Sequence, residues 1–170
     1  MAEPLSYRIA RHVADAAQLY HRLVLVVGPF QTGKTAALRE LEAERGWPLL
    51  NLNLSLSQRM LELTTRQRAL RVPRLLDDLA DELESEVLLL DNLEMLFHPE
   101  LQQHPLRLLQ GLSRNRTVVA AWRGRQERKA LHYASPEHPE YRRYDSPQAL
   151  IVATTEPSFP PSRSPQEQTA

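Results

Sequence analysis

The chain of 170 residues contains no cysteine, which excludes disulfides and thiolate metal sites and suits a reducing compartment. Lysine is nearly absent: of 21 basic residues, only Lys34 and Lys129 are lysines. The arginine excess tracks composition and is weak evidence of anion binding. Formal net charge is +0, so global charge points to neither nucleic acid nor membrane. No apolar run approaches membrane-spanning length. The start, Met1-Ala2-Glu3-Pro4, has an early acid and no apolar signal core. A bacterial cytoplasmic protein is the expectation. Hydrophobic content of 42% and charged content of 25% are ordinary for a globular domain of this size.

Glycine is scarce too, with 5 in the chain, and this makes the position of two of them informative. Gly28-Pro29-Phe30-Gln31-Thr32-Gly33-Lys34-Thr35 spells the phosphate-binding loop G-x-x-x-x-G-K-[ST]. Ahead of it, Leu23-Val24-Leu25-Val26-Val27 is an apolar run of strand length. Behind it, residues 36–45 read as helix. Strand, loop and helix are the setting the motif needs. Gly28 and Gly33 permit backbone conformations that turn successive amides inward as an anion nest. Pro29, Phe30, Gln31, Thr32 and Ala36 complete the cradle, and the helix start faces its positive dipole end to the same spot. Lys34 reaches phosphate oxygens as a point charge, and Thr35 offers a hydroxyl to a magnesium ion. ATP with Mg²⁺ is the predicted cofactor.

The rest of the chain alternates strands with helices. Residues from Ser6 to His21 show helical spacing. Leu50, Leu52, Leu54 and Leu56 alternate with polar residues, predicting a half-buried strand. A helix then runs from Ser57 to about Arg71, broken at Val72-Pro73, with a second helical piece beyond. Val87-Leu88-Leu89-Leu90-Asp91 is a buried strand ending in a carboxylate. Pro99 and Pro105 suit first turns of helices. Residues 117–122 and 149–153 give the fourth and fifth strands. Residues 124–131 are expected to be helical and 135–147 a loop. The pattern predicts an α/β P-loop NTPase fold, a three-layer α/β/α sandwich with a mainly parallel five-stranded sheet. Residues 1–155 form this domain with its N-terminal helix. Residues 156–170, rich in proline, serine and glutamine, read as a disordered tail. No C-terminal helical lid is evident.

Asp91 stands where such folds hold Mg²⁺ opposite Thr35. The attacking water needs an orienting group or base. Asn92 follows Asp91 where many ATPases place glutamate, and Glu94 comes two residues later. Either Glu94 swings in as the base or Asn92 positions water. Arg123 follows the fourth strand and is read as a γ-phosphate sensor. Arg142 and Arg143 precede the fifth strand; the run resembles the arginine-finger segment of AAA+ ATPases, which acts on a neighbouring subunit, and the alternative is a surface pair held by Glu137 or Glu140, with Arg114 and Arg116 as second choices for the finger. His98, His104, His132 and His138 read as solvated histidines rather than metal ligands. Trp122 with Arg123, Arg125, Arg128 and Lys129 leaves contact with a nucleic-acid strand open, although packing is the commoner use of such a tryptophan. Acids concentrate between Asp77 and Glu100 and bases between Gly111 and Asp145, as on two solvated faces or on complementary surfaces that meet between subunits.

The segments LVLVVGPFQTGKT, LLLDNLEMLFHPEL, PLRLLQGLSRNRTVVAAW and YASPEHPEYRRYD together resemble the BrxF family, the small P-loop proteins of type 3 bacteriophage-exclusion (BREX) systems. They cover most of residues 23 to 145, in order. The resemblance implies a role in bacterial anti-phage defence beside other BREX proteins, and it supports Lys34, Thr35 and Asp91 as nucleotide and Mg²⁺ contacts. The combined expectation is an ASCE-type, AAA+-like ATPase core. It hydrolyses ATP slowly alone and faster in a nucleotide-dependent homo-oligomer, as a switch or motor subunit. A non-hydrolysing nucleotide-binding adaptor and a small-molecule or nucleoside kinase are the alternatives.

Overall fold

A computed structural model describes residues 3–155. In chain order its elements are α1 (Leu5–Ala16), β1 (Leu23–Gly28), α2 (Lys34–Arg45), β2 (Leu49–Asn51), α3 (Leu52–Met60), α4 (Thr65–Glu82), β3 (Val87–Asp91), two 3-10 turns (Glu94–Phe97 and Pro99–Leu101), α5 (Pro105–Leu112), β4 (Thr117–Glu127), β5 (Ala130–Tyr133), β6 (Arg142–Asp145) and β7 (Leu150–Ala153). The five predicted parallel strands lie in the order β2-β3-β4-β1-β7. β1 is central and buried at every position, as a strand covered on both faces must be. Its register runs from Leu23 opposite Val118 to Gly28 opposite Arg123 on β4, and Val24 lies opposite Leu150 on β7.

Successive residues of β1 point to opposite faces, and each face has its own core. Leu23, Leu25 and Val27 join Leu88, Leu90, Val118 and Trp122 beneath α3, α4 and α5. Val24 and Val26 join Leu89, Val119 and Val152 beneath α1 and α2. The result is a three-layer α/β/α architecture around a central parallel sheet, with β1 and β7 ending, and β4 passing, on the phosphate-loop side. Among the described residues no helix is long and apolar enough to cross a membrane. The tail predicted over 156–170, and with it the reading of a missing lid, lies outside the described residues.

Four local expectations are corrected. The first helix stops at Ala16, and Tyr20 is exposed. The leucine alternation after Leu50 is helical, not extended. β2 has 3 residues, and the Asn51 side chain then accepts from the Leu54 amide to cap α3. Leu52 and Leu56 are buried one helical turn apart, while Leu54 faces solvent. The break expected at Val72-Pro73 falls instead before Thr65, where Thr64 and Gln67 form a reciprocal capping box. Pro73 lies inside α4 and cannot donate to the Ala69 carbonyl four residues back. The Gln103 side-chain amide donates to that carbonyl at 2.7 Å, so the helix continues.

The fourth correction concerns the crossover from β4 to β7. Instead of the predicted helix over 124–131 there are two antiparallel strands joined by a turn at Arg128-Lys129, and the loop predicted over 135–147 is present but carries a strand at Arg142–Asp145. β4 runs on to Glu127, Gly124 pairs with Tyr133 on β5, and Leu131 pairs with Tyr144 on β6. The sheet therefore has 7 strands, 5 parallel and a two-strand antiparallel extension. Leu131, Tyr133 and Trp122 pack into the same core as α3, α4 and α5. Phe97 stacks flat on Tyr133 and edge-on to Trp122. Burial of these rings covers the sheet where a crossover helix usually does.

Candidate nucleotide site

The loop between β1 and α2 begins under tight constraint. A Cβ on Gly28 would lie 2.1 Å from Thr154 Oγ1 and 2.6 Å from Thr32 Oγ1. Thr154 sits just beyond β7 and donates its amide to the Val27 carbonyl at 2.9 Å. Only a residue without a side chain lets the chain turn there. Gly33, at φ 90, supplies the left-handed step into α2. Thr32 Oγ1 donates to the Pro29 carbonyl at 2.8 Å and closes the loop on itself.

Lys34, the first residue of α2, folds back across this loop. Its Nζ donates to the Gly28 carbonyl at 2.7 Å and the Pro29 carbonyl at 2.5 Å. Burial holds its ammonium below the ordinary value, the Asp91 and Glu94 carboxylates oppose that shift, and the Arg123 guanidinium adds to it. Thr35 Oγ1 donates to Asp91 Oδ2 at 2.7 Å, across from the end of β3. Asp91 is buried, and its Oδ1 accepts from the Asn92 amide at 2.9 Å. Asn92 itself adopts φ 56, which turns the chain sharply after the carboxylate. A hydroxyl beside a held carboxylate, below a loop whose first glycine leaves no room for a side chain, is an oxygen-donor set that fits Mg²⁺ bound to phosphate.

Glu94 opens the first 3-10 turn, and a residue not singled out in the sequence fixes it. Asn53 Nδ2 donates to Glu94 Oε2 at 3.1 Å, its Oδ1 accepts from the Met95 amide at 2.9 Å, and its own amide donates to the Asn92 carbonyl at 3.0 Å. Asn53 thus clasps the whole 92–95 segment from the start of α3. Its only trace in the sequence is a second asparagine two residues after the helix-capping Asn51.

Arg123 lies in β4 opposite Gly28, and its guanidinium sits 5.4 Å from the centre of the exposed Phe30 ring. The structure brings together Gly28 to Ala36, Asp91, Asn92, Glu94 and Arg123. Arg142 and Arg143 lie elsewhere, on successive residues of β6. Arg143 is exposed and pairs with Asp145 at 3.1 Å, not with the glutamates of the preceding loop. Arg142 lines a cleft of ≈ 380 Å³ with Phe97 and His104. Of the second choices, Arg116 pairs with Asp81 at 2.6 Å and Arg114 lies over the Tyr20 ring.

The histidines have structural duties. Nδ1 of His98 accepts from the Glu100 amide and Nδ1 of His104 from the Arg107 amide, each at a helix start. His138 accepts from the Glu140 amide. His132 departs from the solvated expectation: it is buried on β5, with Nδ1 2.6 Å from the Tyr141 hydroxyl. Trp122 is fully buried and donates from Nε1 to the His132 carbonyl at 3.0 Å, so it is a packing residue.

No family model matches the chain, and no curated protein sequence matches it. Among solved structures, that of C. elegans PCH-2 aligns at 18% sequence identity with a TM-score of 0.44, covering 91% of this chain. The present chain corresponds to 42% of the length of that one.

Proposed function

We propose that the chain binds ATP with Mg²⁺ at this site, hydrolyses it slowly alone and faster when assembled, and serves as a nucleotide-dependent switch or motor subunit of a cytoplasmic bacterial anti-phage (BREX) complex. The observation that carries the nucleotide reading is the convergence of Lys34, folded over the loop, with the Thr35–Asp91 pair at 2.7 Å. Lys34 is a cation held in a desolvated place by two carbonyls, and phosphate oxygens offer it a better partner. The amides of the loop and the start of α2 complete the anion site. Bound Mg²⁺ supplies positive charge against the transferring phosphoryl group, with Thr35 and Asp91 as the residues that hold it. In this reading Arg123, opposite Gly28, reports on the terminal phosphate, and Glu94 accepts a proton from water at its carboxylate once the Asn53 bond opens.

The assembly reading is supported by two arginines on β6 that the chain's own phosphate loop does not engage. Arg142 and Arg143 act on a neighbouring copy. The BREX role is supported by the resemblance of the LSRNRT and HPEYRRY segments to the BrxF family. Calorimetric titration with Mg-ATP tests the first claim. Lys34→Ala is expected to abolish the heat, and undiminished affinity removes the site. Arg142→Ala with Arg143→Ala is expected to lower turnover at high protein concentration while single-chain nucleotide affinity stays unchanged. Unaltered turnover removes the finger.

A second reading, an adaptor that holds nucleotide without turning it over, is favoured by Asn92 directly after Asp91 and by the clasp of Asn53 on Glu94. Phosphate release measured with and without DNA and the partner proteins separates the two. No release under any condition leaves the adaptor.

A further inference from the structure

We propose that the rim of the phosphate loop binds single-stranded nucleic acid, with Phe30 as the stacking platform and Arg123 and Arg125 as phosphate contacts. Phe30 is 66% exposed, at the mouth of a groove of ≈ 410 Å³. Arg123, Arg125, Ser135 and His138 line that groove, and no carboxylate does. The Arg123 guanidinium already occupies one side of the ring, at 5.4 Å from its centre. An exposed aromatic face beside guanidinium groups is the chemistry that holds a stacked base and its phosphate.

Two of the cations share one strand face. Arg123 and Arg125 are two residues apart on β4, so they lean to the same side of the strand. The turn that follows carries Arg128 and Lys129, both exposed. Arg128 and Lys129 line cavities other than the Phe30 groove, so the phosphate contacts proposed for the strand are Arg123 and Arg125 alone. Arg125 is partly neutralised, its Nε donating to Glu127 at 3.0 Å, which leaves its remaining donors for a phosphate. A duplex fits poorly, since its base faces are closed to the ring. Trp122, the aromatic on which the sequence centred such contact, is sealed in the core, and Phe30 takes its place.

This site goes beyond the nucleotide reading and does not depend on it, although Arg123 adjoins both. The test is fluorescence anisotropy of the full chain with labelled oligothymidylate of about 20 nucleotides, longer than one compact binding track. The arms are an oligouridylate and a duplex of equal length. Wild-type protein is expected to bind either single strand at least about tenfold more tightly than the duplex. Phe30→Ala is expected to weaken it about tenfold, with Phe30→Trp retaining binding. Arg125→Ala is expected to lower the slope of log affinity against log salt by about 0.7, the value for one lost phosphate contact on a single strand. Equal binding of duplex, absence of binding at low salt, or Phe30→Ala behaving as wild type each overturns the proposal. Loss of binding in both Phe30 variants overturns it as well. Mg-ATP titration of the same preparations separates the two sites. A chain that binds strand but not ATP keeps this proposal, and one that binds ATP but not strand loses it alone.

Discussion

Replacing Gly28 by alanine puts a methyl group where Thr154 already stands. The added Cβ would lie 2.1 Å from Thr154 Oγ1 and 2.7 Å from Thr154 Cγ2. Rotation about the threonine side-chain bond exchanges one branch for the other and brings little relief. Retreat of the backbone is opposed by the Thr154 amide, bonded to Val27 at 2.9 Å between β1 and β7. Overpacking of this kind costs about 1–3 kcal/mol. In a chain of this size each kcal/mol moves the melting temperature by about 2–4 °C, so a fall of about 2–12 °C is expected by calorimetry or circular dichroism. Thr154→Ala removes both colliding atoms. It should cost little alone, because Thr154 Oγ1 is buried with no hydrogen-bond partner among the described residues. The double variant should then melt close to Thr154→Ala, with a coupling of at least about 1 kcal/mol. The remaining contact, Thr32 Oγ1 at 2.6 Å, belongs to a partly exposed loop side chain that is able to rotate away. Strict additivity of the two substitutions, or a Gly28→Ala variant as stable as wild type, refutes the packing account.

Glu94→Gln is expected to reduce phosphate release about 10²-fold or more with Mg-ATP affinity intact, whereas Asn53→Ala, by freeing the carboxylate, should raise release while lowering stability by about 1–3 kcal/mol through the orphaned Met95 amide. Equal turnover in all three proteins denies Glu94 a role. Burial and the neighbouring Arg107 guanidinium hold the His104 imidazole below its usual value, and its Nδ1 must be unprotonated to cap α5. As pH falls below about 6.5 the unfolded chain takes up the proton first, so this contribution is present above that pH and lost below it. In melts against pH, His104→Asn, which caps without titrating, should flatten the acid side of the profile. Gln103→Ala should destabilise the protein by about 1–3 kcal/mol by stranding the Ala69 carbonyl. In a Pro73→Ala background the restored helical amide should erase much of that cost, as urea denaturation would record.

The elements that carry the phosphate loop were legible because their signals are local. The loop spacing, the apolar run before it and the carboxylate ending Val87–Asp91 sit within short windows and survive folding. The misreadings occur where a distant residue decides. Leucines at every second position satisfy a strand, but Leu52 and Leu56 also satisfy a helix, and the Asn51 cap tips the choice. Pro73 breaks an isolated helix. Here Gln103, thirty residues along, supplies the missing donor. Residues 124–131 are rich in helix formers, yet Leu131, Tyr133 and Trp122 gain more by packing flat on the sheet face. Asn53 was invisible as a site residue because its partners lie some forty positions away.

β4 has a mechanical consequence. One uninterrupted strand joins the buried Thr117, Arg123 opposite Gly28 of the phosphate loop, and the outer turn after Glu127. A loop at Arg123 would absorb a shift in slack. A hydrogen-bonded rod has none, so a tug on the arginine displaces the outer β-ribbon, and a load on the ribbon is felt at the arginine. Whatever leans on β5 and β6 is therefore geared to the cradle without any hinge between them.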